Sequence, residues 1–259
     1  MATEKIETLA ELLWQAELSG ESIQALTERE PQLSIEEAYQ VQLHNIDKKV
    51  KQGQKIIGKK IGLTSLAMQQ LLGVDQPDYG ILLDGMLVEN EGQVPFSRVM
   101  QPKVEGEIAF VLKEDLVGPN VTTEDVLRAT DYVLPSIEIV DSRVKDWKIK
   151  LPDTIADNAS CGLFLVGNQP FYLSDVDLKK VSMTLEKNGE VINSGVGEAV
   201  LGDPALAVAW LANKLHEFGI TLKAGEVILS GALSAAVSAE PNDVFAMKFD
   251  TLGEVRVRF

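Results

Sequence analysis

Three glutamates in two predicted β-strands are the residues of this chain best suited to metal chemistry. Glu105 and Glu107 lie in the stretch 101–112, where a run of β-branched and aromatic residues predicts a strand. Side chains two positions apart share one face of a strand, so these carboxylates point the same way with Cα atoms about 6.5 Å apart. Glu138 lies in a similar apolar segment downstream. Carboxylates that share a poorly hydrated surface repel each other, and a bound divalent cation would remove that cost.

Three carboxylates without a nearby histidine or cysteine pair predict a hard cation. Oxygen ligands of this kind favour Mg²⁺ or Mn²⁺ over Zn²⁺. The spacing leaves a second interpretation open, because a half-exposed strand also alternates polar with apolar residues, and Glu105 and Glu107 would then face solvent. The glycine between them, Gly106, and the apolar neighbours of Glu138 favour the metal site.

A lysine and an aspartate are further candidates, each with an ordinary structural explanation. Lys60 lies in the short predicted strand 56–63, whose glycines suggest that backbone or ligand approaches closely there. A lysine in an apolar strand either extends its ammonium group to solvent or has a functional role. Desolvation would lower its pKa, and a nearby carboxylate would oppose that shift. Asp78 lies in the segment 76–80, where turn formation alone accounts for the proline, aspartate and glycine.

Two amphipathic helices are predicted ahead of these residues. Apolar side chains at helical spacing indicate a first helix near residues 6–13, and a capping box at Ser34–Glu37 begins a second that ends near Gly53. We expect residues 1–55, which contain these helices, to form an N-terminal helical cap. A β-rich catalytic domain is then expected over residues 56–259.

Strands dominate the remainder of the chain. A short helix is expected from Thr64 or Ser65 through Leu72, and Pro135 predicts that one end of the Glu138 strand lies at a sheet edge or a bulge. Asn188–Gly189 has the sequence of a two-residue hairpin turn. The pattern as a whole predicts a β-rich α+β fold with helices packed against its sheets.

The charge balance limits the partners. The chain has 259 residues, with 24 basic against 39 acidic side chains and a formal charge of -15. Such a surface argues against binding to nucleic acid or to an anionic membrane. A small anionic substrate would need a local positive charge, which a metal ion supplies.

The single cysteine and the N-terminal sequence indicate a location. Cys161 excludes an internal disulfide, suits a reducing cytoplasm, and is expected to be a small buried side chain. The N-terminus has an amphipathic pattern and not the continuous apolar core of a signal peptide. No apolar run approaches the roughly 20 residues that a membrane span needs. We therefore expect a cytoplasmic protein.

Six motifs resemble the 2-keto-4-pentenoate hydratase and 4-oxalocrotonate decarboxylase family, a branch of the fumarylacetoacetate hydrolase superfamily. They occur in order and at compatible spacing over essentially the whole chain, which is far more specific than any one motif. The motifs are Lys60–Ser65, Asp75–Gly80, Pro102–Glu107, Glu138–Arg143, Ala156–Ser160 and Leu229–Ala232.

The resemblance implies a β-roll fold and a role for each candidate residue. Mg²⁺ or Mn²⁺ would be held by Glu105, Glu107 and Glu138. Lys60 and Asp78 would lie at the reacting end of the substrate. The groups that help to bind the substrate would be Ser160, Ser230 and Gly231.

The family also implies a reaction. A 2-hydroxy-2,4-dienoic acid, formed in meta-cleavage degradation of aromatic compounds, would bind the metal through its carboxylate and its enol oxygen. Ketonisation followed by addition of water at C4 would give a 4-hydroxy-2-oxo acid. Lys60 and Asp78 are the candidates for the proton transfers, in an order that the sequence leaves open.

Three alternatives remain at this stage. A decarboxylase would use the same metal and dienolate to release CO₂ from a 2-oxohexenedioate, although the segments 146–154 and 230–233 resemble the hydratase branch more. A further superfamily reaction, such as acylpyruvate hydrolysis, would need a general base, and no well-placed histidine is evident. The third alternative is a catalytically silent assembly partner. The resemblance implies a homo-oligomer and association with a partner pathway enzyme, for which the apolar helix segment 205–211 would be a suitable surface.

Overall fold

Helices form the N-terminal part of the chain and several later connections. The computed structural model describes residues 2–66, 69–70 and 73–259, so the short helix predicted through Leu72 includes residues outside this description. The α-helices with described bounds are α1 (Ala2–Ser19), α2 (Leu26–Arg29), α3 (Ile35–Lys51), α4 (Thr123–Ala129), α5 (Leu151–Ala156) and α6 (Pro204–His216).

The second predicted helix begins as its sequence indicates. The amide of Glu37 donates to the Ser34 hydroxyl at 3.2 Å, and the Ser34 amide donates to Glu37 Oε2 at 3.1 Å. This reciprocal pair satisfies two of the amides that a helix N-terminus leaves without partners. Helix α3 packs against α1. No helix among the described residues is long and apolar enough to cross a membrane.

The described strands form two sheets. One sheet has the order β2-β1-β8-β3-β4-β5, with β9 also paired to β3, and the other has the order β11-β10-β6-β7. Neighbouring strands pair antiparallel except β1 and β8, which run parallel. The strands are β1 (Ile56–Gly62), β2 (Asp78–Leu83), β3 (Lys103–Leu112), β4 (Thr130–Val140), β5 (Cys161–Val166), β6 (Ser182–Lys187), β7 (Glu190–Val196), β8 (Val227–Ala232), β9 (Val237–Ser238), β10 (Val244–Phe249) and β11 (Gly253–Arg258).

The register of the larger sheet brings the chemical residues together. Glu105 of β3 lies directly opposite Glu138 of β4. Strand β8 separates β3 from β1 in the same sheet and runs parallel to β1. Gly62 of β1 lies opposite Asp78 of β2. Lys60, two residues before Gly62 in β1 and so on the same face, lies 3.2 Å from Glu138, which places both pairs on one side of the sheet.

The other face of β3 packs against the smaller sheet. A Cβ atom at Gly106 would lie 2.9 Å from Met183 Cε and 3.2 Å from Met247 Sδ. Met183 and Met247 belong to β6 and β10 and are fully buried in the main hydrophobic core. The glycine between the two acids is therefore explained by close packing on the side opposite the carboxylates.

Replacing Gly106 by alanine should consequently affect stability and not metal binding. We expect Gly106→Ala to lower the free energy of unfolding by about 1–3 kcal/mol, because the methionine side chains must shift to admit a methyl group. Thermal denaturation would measure this loss. Unchanged stability together with loss of Mg²⁺ binding would show that the glycine serves the carboxylate side.

Pro135 lies inside β4, between β3 and β5, so of the two predicted settings, a sheet edge or a bulge, the sheet edge is wrong. It pairs with Ile108 of β3, and its carbonyl accepts from the Gly167 amide at 2.8 Å. The nitrogen and carbonyl of a residue in a strand point to the same neighbour, so the missing N–H of Pro135 faces the chain just beyond the end of β5. Pairing with β5 stops there, and a proline is tolerated for that reason.

One local prediction is confirmed, and one expectation about helix α6 loses support. Asn188 and Gly189 have φ of 55° and 85° and join β6 to β7. Asp203 begins α6 by accepting from the Ala205 amide at 2.9 Å. Eight of the thirteen residues of α6 are buried within the chain itself, and Leu206 is its one large apolar residue that is clearly exposed. Most of the surface proposed for a partner is therefore already used in the core.

Candidate active site and metal centre

The three glutamates form one carboxylate cluster. One carboxylate oxygen from each of Glu105, Glu107 and Glu138 lies within 4.8 Å of the other two. Glu107 and Glu138 are each 1% exposed, and Glu105 is partly exposed. Glu107 therefore does not face solvent, whereas the alternative interpretation of the strand requires that it does.

The electrostatics of this carboxylate cluster are unfavourable without a cation. Burial raises the pKa of Glu105 to about 7, and the charge of Glu138 adds to this shift. Burial also raises the pKa of Glu107 well above its usual value, reinforced by the charges of Glu138 and Glu105. Both oxygens of Glu138 are buried without an aligned hydrogen bond among the described residues. Clustered carboxylates with unpartnered oxygens are a donor set that fits a hard divalent cation.

Lys60 lies beside the carboxylate cluster. Its side chain is 3% exposed, and Nζ lies 3.2 Å from Glu138 Oε1. Desolvation lowers the pKa of Lys60, but the carboxylates of Glu138 and Asp78 outweigh it, and the net shift is upward. The nearby carboxylates therefore prevail over desolvation, and Lys60 carries a charged ammonium group that can donate hydrogen bonds.

Asp78 occupies space that Gly62 leaves open. A Cβ at Gly62 would collide with Asp78 Oδ1 and lie 3.4 Å from Lys60 Nζ, so the glycine permits the close approach that the sequence suggests. Asp78 is 2% exposed, and its Oδ1 has no hydrogen-bond partner among the described residues. Burial raises the pKa of this carboxyl group, and the nearby ammonium of Lys60 opposes the shift.

The neighbouring lysine in β1 points to the opposite face. Lys59 is also 3% exposed, but its Nζ lies 2.5 Å from Glu226 Oε1 in a buried ion pair. Adjacent residues of a strand face opposite sides of the sheet. Lys59 therefore has a structural partner, whereas Lys60 faces the carboxylate cluster.

Ser160 is presented by a left-handed turn. Asn158, Ala159 and Ser160 have φ of 55°, 52° and 52°, a conformation that costs non-glycine residues about 1–2 kcal/mol each. The Asn158 side chain anchors the turn to β2, because its Oδ1 accepts from the Ile81 amide at 2.8 Å and its Nδ2 donates to the Ile81 carbonyl at 2.9 Å. Asn158 tolerates this backbone, but nothing in the sequence signals it for the two residues that follow.

A second anchor holds the start of the same turn. The Arg143 guanidinium lies 2.5 Å from Asp157 Oδ1 through Nε and donates to the Asp157 carbonyl at 2.7 Å through an NH₂ group. Both side chains are buried. The motifs that contain Arg143 and Asp157 thus form one rigid support for Ser160.

The Ser230 loop contacts the carboxylate cluster through its backbone. The Gly231 amide donates to Glu107 Oε2 at 2.8 Å. Gly231 has φ of 113°, and a Cβ there would collide with Thr64, so only glycine suits this position. The hydroxyl of Ser230 is fully buried and has no partner among the described residues.

Cys161 is buried, as the sequence predicts. Burial raises the pKa of its thiol, and the charge of Glu138 acts in the same direction. It therefore remains a protonated side chain next to the carboxylate cluster. Neither this proximity nor the anchoring role of Asn158 is evident from the sequence.

Comparison with known proteins gives several close matches. The profile of the fumarylacetoacetate (FAA) hydrolase C-terminal family matches residues 73–259. The chain is 48% identical to a 2-hydroxyhexa-2,4-dienoate hydratase from Comamonas testosteroni, over 98% of this chain and 97% of that protein. It is 44% identical to a 2-keto-4-pentenoate hydratase from Paraburkholderia xenovorans (strain LB400), over 100% of this chain and 96% of the relative. Among solved structures, 4-oxalocrotonate decarboxylase from Pseudomonas putida G7, complexed with magnesium and adipate, has a TM-score of 0.97 at 40% identity, covering 100% of this chain and 98% of that chain.

Proposed function

The chain belongs to the fumarylacetoacetate hydrolase family, and on this basis we propose that it is a metal-dependent hydratase of 2-hydroxypenta-2,4-dienoate or a close analogue. The product would be a 4-hydroxy-2-oxo acid. The observation that carries the proposal is the buried cluster of Glu105, Glu107 and Glu138 beside Lys60. The full-length relatives named as hydratases supply the reaction class.

We assign the metal to Glu105, Glu107 and Glu138. Mg²⁺ or Mn²⁺ suits three carboxylates, and magnesium is bound in the solved decarboxylase structure. Such an ion would stabilise negative charge on the C2 oxygen of the substrate, a Lewis-acid effect worth several kcal/mol. The Gly231 amide orients Glu107 for this role through its hydrogen bond.

Lys60 and Asp78 are assigned to the proton transfers. During ketonisation a proton leaves the 2-hydroxyl group and another arrives at C5, which yields an α,β-unsaturated ketone that accepts water at C4. Lys60 contacts Glu138, which supports a position for its ammonium near the C2 oxygen. Asp78, with an unpartnered buried oxygen, would then face the distal carbons. Ser160 and Ser230 are proposed to bind the substrate.

Product analysis tests this function. We expect the purified protein with Mg²⁺ to convert 2-hydroxypenta-2,4-dienoate to 4-hydroxy-2-oxopentanoate, seen as loss of dienol absorbance and as a new hydroxylated product by NMR. A parallel incubation with 2-oxohex-3-enedioate should release little CO₂. Release of CO₂ without hydration of the pentadienoate would overturn the assignment.

The decarboxylase is the second candidate, favoured by the close structural match to 4-oxalocrotonate decarboxylase. Both reactions use a metal-bound dienolate, so the three glutamates do not separate them. A catalytically silent partner is a weaker third possibility, because the carboxylate cluster and its neighbours are all present. Glu105→Gln would distinguish it, since a scaffold would keep its assembly and its partner's activity.

Other features of the assignment rest on the same family. We propose that the protein acts in meta-cleavage degradation of aromatic compounds, in the cytoplasm, as a homo-oligomer that can associate with a partner enzyme of that pathway. We also propose residues 1–55 as a helical cap and residues 56–259 as the catalytic domain. Size-exclusion chromatography with light scattering would determine the subunit number.

A further inference from the structure

A buried chain of oxygen atoms joins two of the proposed active-site residues. The Thr154 hydroxyl lies 3.4 Å from Asp78 Oδ2 and 3.1 Å from the Ser160 hydroxyl. All three side chains are at most 5% exposed. Thr154 is therefore the protein group that connects Asp78, on β2, with Ser160, in the left-handed turn.

Helix α5, which carries Thr154, is held in place by the hydrogen bonds of the residue before it, Asp153. Asp153 is fully buried and accepts from both the amide and the hydroxyl of Thr27, each at 2.8 Å. It also accepts from the Lys150 amide at 2.9 Å, which closes the first turn of α5. These contacts hold α5 against the N-terminal part of the chain.

Gln42 of α3 fixes the residue on the other side. Its Nε2 donates both hydrogens, to the Tyr79 carbonyl at 2.9 Å and to the Ile155 carbonyl at 3.0 Å. Tyr79 follows Asp78 and Ile155 follows Thr154, so one amide group sets the distance between the two backbones. Gln42 is 1% exposed, and its Oε1 has no partner among the described residues. A side chain that leaves its own acceptor unpaired to make these two bonds serves alignment at some cost in stability.

We propose that Thr154 is a positioning residue that orients Asp78 and Ser160 through its hydroxyl group, with Gln42 holding Thr154 and Asp78 at the required spacing. The inference rests on the proposed function, because it gives Asp78 and Ser160 their roles in the reaction. It adds a residue that touches neither the metal ligands nor, by this proposal, the reacting atoms.

The single proton of the Thr154 hydroxyl sets the direction of hydrogen bonding along this chain of oxygen atoms. A threonine hydroxyl has one proton, so it donates to one neighbour and accepts from the other. When Asp78 is ionised, Thr154 donates to it and accepts the proton of Ser160, which leaves Ser160 as an acceptor toward the substrate. When Asp78 carries a proton, both hydroxyls turn, and Ser160 can donate. Thr154 thus couples the protonation state of Asp78 to whether Ser160 donates a hydrogen bond to the substrate or accepts one.

Two substitutions at one position test the proposal. Thr154→Val keeps the shape but removes the hydroxyl, and we expect kcat to fall about tenfold to a hundredfold, as for a displaced catalytic group. The rise in melting temperature with Mg²⁺ should stay close to wild type, and any rise in KM, which would come from the displaced Ser160, should be smaller than the fall in kcat. Thr154→Ser keeps the hydroxyl and should restore kcat to within about threefold of wild type.

Thr130→Val is the matched control. Thr130 is also buried, and its hydroxyl donates to the Val126 carbonyl at 2.7 Å, away from the carboxylate cluster. This variant should lose stability and retain kcat. A Thr154→Val enzyme with wild-type kcat, or a Thr154→Ser enzyme as slow as Thr154→Val, would overturn the inference.

A double variant tests the role of Gln42. Gln42→Met should lower kcat by itself and add no more than about twofold to the loss in Thr154→Val, because both changes disturb one contact. Fully multiplicative losses would show that Gln42 acts separately. Failure of the proposed function is distinguishable, since wild type would then not hydrate the pentadienoate, whereas failure of this inference requires a wild type that does.

Discussion

Glu107→Gln is expected to lower kcat about a thousandfold or more. The change removes one negative ligand and leaves an amide in its place, so the affinity for Mg²⁺ falls and the charge on the C2 oxygen loses stabilisation. Loss of several kcal/mol at about 1.4 kcal/mol per tenfold gives this magnitude. Steady-state kinetics over a range of Mg²⁺ concentrations would measure it.

The same substitution should stabilise the metal-free protein. Glu107 is 1% exposed beside two other carboxylates, and its raised pKa shows that its ionised form is unfavourable there. Neutral glutamine relieves that repulsion, so the melting temperature in EDTA should rise, while the further rise on adding Mg²⁺ should disappear. Glu114→Gln, at an exposed acid just beyond β3, is the control and should change neither property. Wild-type kinetics in Glu107→Gln would exclude the metal site.

Lys60→Met and Asp78→Asn should each lower kcat by about a hundredfold to ten-thousandfold, the range expected when a proton-transferring group is removed. The mechanism needs one group at the enol oxygen and another at the distal carbons, and these two side chains lie close together beside the carboxylate cluster. Single-turnover kinetics with saturating Mg²⁺ would separate this chemical defect from weaker substrate binding.

Lys59→Met is a contrasting control from the next residue of β1. It leaves Glu226 buried without its partner, so we expect a loss of about 3–5 kcal/mol in the free energy of unfolding. Its kcat should remain near that of wild type at a temperature where it is folded. Equal kinetic losses at both lysines would show that Lys60 acts through stability alone.

The period of a β-strand was enough to single out two of the three proposed metal ligands. Glu105 and Glu107 had to share a face if the segment was a strand, and that depends on local geometry. Their meeting with Glu138 depends on the β3–β4 register, which spacing does not determine; the resemblance to a known family supplied it. Gly106 had been given weight for the wrong reason, because it packs against methionines on the opposite face.

The supports of the site were beyond sequence reasoning. A left-handed run through Ala159 and Ser160 has no propensity signal, and only its anchors on β2 and Arg143 explain why it persists. Gln42 looks like any polar residue of an amphipathic helix, yet it is fully enclosed. Pro135 signalled an edge because local rules do not reveal where a neighbouring strand ends.

The single amide group of Gln42 has a consequence for protein engineering. Any chimaera that exchanges helices α1–α3 with those of a relative should keep a side-chain donor at this position, because Gln42 Nε2 joins the Tyr79 and Ile155 carbonyls. Libraries of variants aimed at new substrates should therefore leave the Gln42 face of α3 unchanged.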